Sequence, residues 1–368
     1  MLPFYNFVAP IMPRFCLPLL LLLVNWMPCG WASSVVFLNP GHADEPFWRT
    51  YSQFMQAAAT DLGLQLEVVY AGRNKQRMLQ QAHELRTRTR QPDYLLFTNE
   101  EYVGPELLRL FADSPSRLFA LHSTLTADQQ ARTGASREKH ANWIGSLVVN
   151  DQQAGALMAE GLLALHATQA PIEMLAFSGA RNTPSATLRE AGLQAVLQTH
   201  PKVQLRQLVY GEWNRQRAYE QALSLLQRYP QVSHVWSAND EMAFGVLQAA
   251  RELGRQPGRD LHLTGLNNST ALFQAYRAGD IEVLVTGHFT LGAWALVMLH
   301  DHAKGLDFAD YGGKDQVAKL FRQVSAAQSL RLEQRLSQPG QGIDFRRYSR
   351  QANPRLRAYR FSIDALLR

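Results

Sequence analysis

The chain has 368 residues, of which 46% are apolar and 18% charged, an ordinary globular composition with material for two domains. Lys and Arg number 37 against 31 acids, spread along the chain except for a concentration of arginines between Arg346 and Arg368. That run reads as a solvated surface tail in preference to a lipid or nucleic-acid contact, since net charge speaks to solubility and steering rather than to fold.

At the N-terminus Arg14 precedes FCLPLLLLLVNWM, an apolar core shorter than the ~20 residues of a membrane-spanning helix. Gly30-Trp31-Ala32 then sets small residues at the −3 and −1 positions of a signal-peptidase site, so residues 1–32 read as a signal peptide cut after Ala32. Cys29 is not preceded by the small residues of a lipobox. Both cysteines, Cys16 and Cys29, precede the expected cut, which excludes disulfides, thiolate nucleophiles and Cys metal sites from the mature chain.

Next come Ser34–Leu38, a short buried-strand pattern, and Phe47–Leu62, with helical spacing closed by Gly63. A strand is predicted at 65–70, a helix at 76–90, a strand at 93–98, a helix at 105–111 and a strand at 118–121. A second series follows: helix 151–166, strand 172–177, helix 185–200, strand 204–209, helix 215–229 and strand 234–237. It continues with helix 241–253, strand 261–266, helix 268–278, strand 282–286 and helix 291–305. Such alternation implies right-handed crossovers and parallel sheets covered on both faces. The fold class expected is α/β, two doubly wound parallel-sheet domains with a break near Ser146–Asp151.

In such sheets ligands sit beyond the carboxyl ends of the strands, so the residues after each strand are the candidates. They are Glu45, Phe47 and Trp48 after the first strand, then His122, then Arg189 one turn inside a helix. Trp213, Asn239, Asn267, Thr286 and His288 complete the set. Asp240 and Glu241 are adjacent at a helix start, where side chains diverge by ~100° per residue, so a glycosidase-type acid pair is not expected. Asp240 is expected instead to cap the helix or brace Asn239. His300-x-His302 lacks the i, i+4 spacing of a helical metal pair, and no Gly-x-Gly-x-x-Gly, Walker A or Gly-x-Ser-x-Gly motif is present. No catalytic residue, metal or cofactor is therefore expected.

With these residues in view, the chain resembles the type I periplasmic binding proteins, in their ribose-binding and autoinducer-2-receptor-like branch, from about Val35 to about Gly305. The resemblance rests on Asn239-Asp240-Glu241-Met242-Ala243, Pro46-Phe47-Trp48, Asp93–Thr98 and Thr187–Leu193. It implies two lobes joined by a hinge with the ligand in the interdomain cleft. One lobe would comprise 33–149 and 287–322; the other would comprise 150–286 and 323–368, with the basic extension. It implies that Phe47 and Trp48 cap the ligand, Arg189 forks to two ligand oxygens, Trp213 forms an aromatic wall and Asn239 binds a hydroxyl. Thr286 or His288 falls near the family's Gln or Arg after the last crossing strand.

Two departures stand out: His122-Ser123 occupies the place of the Asp-Arg of sugar binders, and Asn267 stands where ribose binders usually have Asp. Glu45 and His122 put ionisable groups at the mouth instead. The function implied is capture of a small polar, sugar-like ligand by hinge closure for an ABC importer. The alternative is a periplasmic receptor that regulates a membrane histidine kinase or cyclase, for which the basic tail offers a docking face. The expected partners are the ligand and a membrane permease or sensor. The protein would be a monomer, and with no helix-turn-helix module ahead of the core it would bind no nucleic acid.

Overall fold

The computed structural model describes residues 1, 3–4, 32–165, 171–337 and 342–368, and the unit from Ala32 to Arg368 is considered by itself. The expected leader core and Gly30-Trp31 lie outside the described residues. The chain opens with β1 (Ser34–Asn39), α1 (Pro46–Leu62), β2 (Gln65–Tyr70), α2 (Lys75–Arg86) and β3 (Tyr94–Phe97). It goes on through α3 (Gly104–Leu110), β4 (Arg117–His122), α4 (Ala127–Thr133) and β5 (Trp143–Val149). A second run comprises α5 (Asp151–Leu165), β6 (Ile172–Ser178), α6 (Pro184–Thr199), β7 (Val203–Tyr210), α7 (Arg215–Arg228) and β8 (His234–Ser237). It continues with α8 (Asp240–Glu252), β9 (His262–Leu266), α9 (Thr270–Ala278) and β10 (Val283–Thr286). Last come α10 (Leu291–Ala303), β11 (Asp315–Ala318), β12 (Arg322–Gln323), α11 (Ala326–Leu336) and α12 (Asp364–Leu367).

The strands form two sheets, ordered β11-β5-β4-β3-β1-β2 and β12-β10-β9-β8-β6-β7, parallel throughout except that β12 runs antiparallel to β10. The expected doubly wound α/β class is therefore what the chain adopts. Val35–Leu38 is buried on both faces because β1 lies inside its sheet, whereas Gln65–Tyr70 alternates because β2 is an edge strand with one face toward water. Helix α1 starts on Pro46 and stops at Gly63, whose left-handed φ of 65° lets its amide return to Ala59 and Thr60 carbonyls. Helix α9 begins at Thr270, not Asn268, because the Ser269 side chain takes the Leu272 amide as a cap and leaves Asn267 and Asn268 outside the helix.

Strands β5, β11 and β12 and helix α4 were not anticipated. Strand β5 carries Gly145 and a register shift against β4, which breaks its period, and β12 is two residues long.

Three crossovers join the lobes: Val149 to Asp151, Thr286 to His288, and Ala318 to Arg322. The last two lie close together. An ideal Cβ on Gly287 would stand 2.1 Å from the Leu320 carbonyl oxygen and 3.1 Å from Ile363 Cδ1, and its φ of 126° is one that L-residues rarely adopt. The tail differs from expectation. Helix α11 packs on α9 of the second lobe, but residues 345–361, assigned by sequence to that lobe, pack on α10 of the first. The cause is Trp294 on α10, whose fully buried ring is covered by Phe345, Tyr348 and Phe361.

Gly287→Ala is expected to destabilise the protein by at least about 2 kcal/mol, from backbone strain and the contact with Leu320. Urea unfolding of parent and variant measures it.

Candidate functional site in the cleft

Each sheet has a central strand whose neighbours on its two sides are reached by opposite connections, β1 in the first and β6 in the second. The loops beyond the carboxyl ends of both sheets' strands converge on a cavity lined by Glu45, Phe47, Trp48, Arg73, Glu100, His122, Ser185, Arg189, Trp213, Asn239, Asn267 and His288. Nine of the ten sequence candidates border it. Thr286 does not: as the last residue of β10 it is fully buried, and its hydroxyl finds no partner.

Sequence reasoning missed Arg73, Glu100 and Ser185. Arg73 and Glu100 each lie three residues past a strand, Tyr70 and Phe97 being the last residues of β2 and β3, so the rule that found the others reaches them too. Ser185 sits in the first turn of α6, ahead of Arg189.

Each lobe contributes an arginine held against a tryptophan. In the first, Arg73 reaches Glu45 at 2.5 Å and Glu100 at 2.9 Å, with its guanidinium 6.0 Å from the Trp48 ring. Burial works against the Arg73 charge, yet Glu45 and Glu100 outweigh it and hold the group above its ordinary range. In the second, Arg189 donates from Nε to Asp151 at 2.8 Å and from Nη1 to the Ala238 carbonyl at 2.8 Å, 5.4 Å from the Trp213 ring. Two of the N–H groups expected to fork onto a ligand are thus committed within the lobe. Both partners are buried, and burial pushes the Asp151 carboxyl above its usual range despite the arginine.

Rings continue between the two pairs. Phe47 stacks on His288 at 4.5 Å, His288 lies 4.8 Å from Phe321 on the third crossover, and Trp48 meets His122 edge-on at 5.2 Å. Burial, then the charges of Arg189 and Arg73, lower His122 to about 3. Burial, then Arg189 and His122, take His288 well below its ordinary 6.5. Both imidazoles are neutral at neutral pH. Within the protein, Trp48 Nε1, His122 Nδ1 and His288 Nδ1 have no hydrogen-bond partner.

The polar residues after β8 and β9 are braced differently from expectation. Asn239 caps α8, its Oδ1 accepting from the Met242 amide, and its Nδ2 donates to the Trp213 carbonyl at 3.4 Å. Asp240 braces Asn267 rather than Asn239: it accepts from Asn267 Nδ2 at 2.6 Å and from the Ser269 hydroxyl at 2.7 Å. Burial raises the Asp240 carboxyl to about 6. Glu241 lies outside the cavity lining, so the two adjacent carboxylates do not share a substrate.

Backbone strain concentrates here. Four non-glycine residues of positive φ border the cavity: Arg73 (58°), His122 (73°), Trp213 (62°) and Asn267 (144°). Glu101, Tyr102 and Glu212, also of positive φ, line an adjoining groove. Each such residue costs ~1–3 kcal/mol and persists where surrounding structure holds it in place.

A model of the periplasmic binding protein domain matches residues 140–307. The crystal structure of a periplasmic sugar-binding protein from Pseudomonas fluorescens is 51% identical with a TM-score of 0.84, over 91% of this chain and 100% of that one. Among curated proteins, the D-apiose import binding protein of Actinobacillus succinogenes is 25% identical over 137 residues, 37% of this chain and 42% of the relative. The lactose operon repressor of Klebsiella pneumoniae is 29% identical over 92 residues, 25% of this chain and 26% of the relative. The chain thus spans less than half the length of either curated relative.

Arg189→Ala leaves Asp151 buried without its cation and is expected to cost about 3–5 kcal/mol in urea unfolding. Arg189→Met with Asp151→Leu removes both charges and should recover most of that loss; a double variant as unstable as the single one would contradict the pairing.

The histidines give a pH signature. Between pH 6.5 and about 3 the unfolded chain binds a proton that folded His122 refuses. The His122 contribution is therefore complete above 6.5 and lost as pH falls. Asp240 acts in the opposite sense between about 6 and its ordinary 3.8, so the comparison must isolate one group. The stability difference between parent and His122→Gln should shrink by about 1.4 kcal/mol per pH unit from about pH 6 to about pH 4, read by urea titrations.

Proposed function

The chain belongs to the periplasmic binding proteins, and on that footing we propose that it captures a small, neutral, polyhydroxylated ligand and delivers it to the permease of an ABC importer. The observation that carries the ligand class is the set of unpartnered neutral donors and acceptors in the cavity, beside arginines that are already paired. Arg73 is matched by Glu45 and Glu100, Arg189 by Asp151, and the Asp240 carboxylate by Asn267 and Ser269. An anionic ligand would find no arginine left unpaired and would bear the full cost of desolvation. A hydroxylated ring would meet Trp48 Nε1 and the two histidine nitrogens that have no protein partner, with its C–H faces against Phe47, Trp48 and Trp213.

The relatives' names point the same way, to sugar binding in the Pseudomonas protein and to apiose import in the Actinobacillus one. His122-Ser123 and Asn267, uncharged where sugar binders of the resembling branch carry Asp-Arg and Asp, shift selection toward hydroxyls recognised by neutral donors and acceptors. Membership in the family puts the working compartment in the periplasm, and the leader expected at 1–32 would supply export. Closure of the lobes on the ligand converts its binding energy into a shape the permease can distinguish from the open one.

A thermal-shift screen of residues 33–368 against neutral pentoses, hexoses and inositols, sugar phosphates, uronic acids and amino acids tests this. A neutral sugar or polyol at 100 times its Kd should add about 2.7 kcal/mol, and Trp213→Ala should remove the shift while the variant still folds. A shift with the charged compounds alone would overturn the ligand class.

A further inference from the structure

The C-terminal segment touches both lobes and the hinge between them. On the first lobe Phe361 lies flat on Trp294 at 5.2 Å, with Phe345 and Tyr348 edge-on at 5.1 and 4.7 Å. One fully buried carboxylate, Asp301 near the end of α10, collects four donors from this segment. They are the Ser349 hydroxyl at 2.5 Å, the Arg350 and Gln351 amides at 2.7 and 3.3 Å, and the Tyr359 hydroxyl at 2.8 Å.

The chain then returns to the hinge. Ile363 is fully buried, and its Cδ1 closes over the point where the Gly287 and Leu320 crossovers meet. Beyond it, α12 packs on α11 of the second lobe, where Arg331 and Arg335 donate to the Leu367 and Arg368 carbonyls at 3.1 and 2.9 Å. The opposite side of the same crossovers faces the ligand cavity: Phe321 and His288 are ring neighbours, and the Arg189 guanidinium lies 6.0 Å from Phe321.

We propose that residues 342–368 are a strap across the hinge that sets the balance between closed and open lobes, with Ile363 as the wedge that favours closure. Opening turns one lobe against the other about the crossovers. Because the segment lies on the side of the crossovers away from the cleft, opening brings the lobes together there and must compress it, release an end or shear Ile363 off Leu320 and Gly287. Each of these gives up packing or hydrogen bonds that the closed arrangement keeps. The strap therefore biases the unliganded protein toward closure and raises its apparent affinity, because a ligand that binds the closed form needs less of its binding energy to populate it. The inference rests on the cleft's being a hinge-closed ligand site.

The test uses the absence of cysteine after Cys29. Arg132→Cys on α4 and Glu220→Cys on α7, both exposed and one on each lobe, carry spin labels, and their separation is measured in residues 33–368 with no ligand added. Ile363→Ala should move the distribution to longer distances, with at least a twofold rise in the open fraction. Arg331→Gln with Arg335→Gln, which releases only the C-terminal carbonyls, should do the same and serves where Ile363→Ala fails to fold. Distributions equal to the parent's, or shifted to shorter distances, in a folded variant would overturn the strap. Because no ligand is added, that failure is separate from a screen in which no neutral sugar stabilises the protein.

Discussion

A cleft that closes on a small ligand must first settle its own charges, because closure removes the water that would otherwise screen them. Here each lobe does so alone. Arg189 is matched by Asp151 inside the second lobe, and Arg73 by Glu45 and Glu100 inside the first. Neither arginine depends on the other lobe for its counter-charge, so opening strands no cation. Each guanidinium also backs a tryptophan of the cavity wall, Trp213 or Trp48, so the pairs fix the aromatic surfaces as well as the electrostatics. The neutrality of His122 and His288 follows from the same arrangement, since two buried imidazoles near Arg189 shed their protons more readily than they add positive charge to the cavity.

Strain belongs to the same account. A side chain that must face the cleft from a strand end has one or two residues in which to turn. Arg73, His122, Trp213 and Asn267 make that turn in the left-handed or positive-φ region, Arg73 beside Gly72, whose φ is also positive. Their neighbours hold them there: Asn267 through Asp240, Trp213 through the Asn239 amide on its carbonyl, Arg73 through two carboxylates. Part of the helix-capping chemistry after β8 thus supports the site rather than touching the ligand.

Much of this was legible in the sequence. Alternating apolar runs and helical spacing identified nine of the twelve described strands and the long helices between them, as in β1, α1 and α8, and the post-strand rule led to nine residues that border one cavity. What stayed hidden has physical causes. Which atoms of Asn239 and Arg189 remain for a ligand depends on tertiary partners that spacing does not encode. Arg73 and Glu100 obey the same post-strand rule, and β12 is too short to have a period.

The tail is the clearest case of a composition that conceals a structure. Residues 342–368 hold seven arginines and two aspartates; without them and Arg14, the 37 basic and 31 acidic residues of the chain become 29 of each. A segment that carries the whole charge excess reads as solvated, and Arg346, Arg347, Arg355, Arg357 and Arg360 are indeed exposed. Yet Phe345, Ser349 and Ile363 are buried, each without a buried immediate neighbour in sequence. Their period is set by the surface they cross, a tryptophan on α10, a carboxylate one face away and two chain crossings at the hinge. An irregular strap can match such a surface because it need not satisfy its backbone internally; Asp301 takes two of its amides and the arginines of α11 two of its carbonyls. The same anchors that order the segment make it span the one place in the fold where the two lobes move.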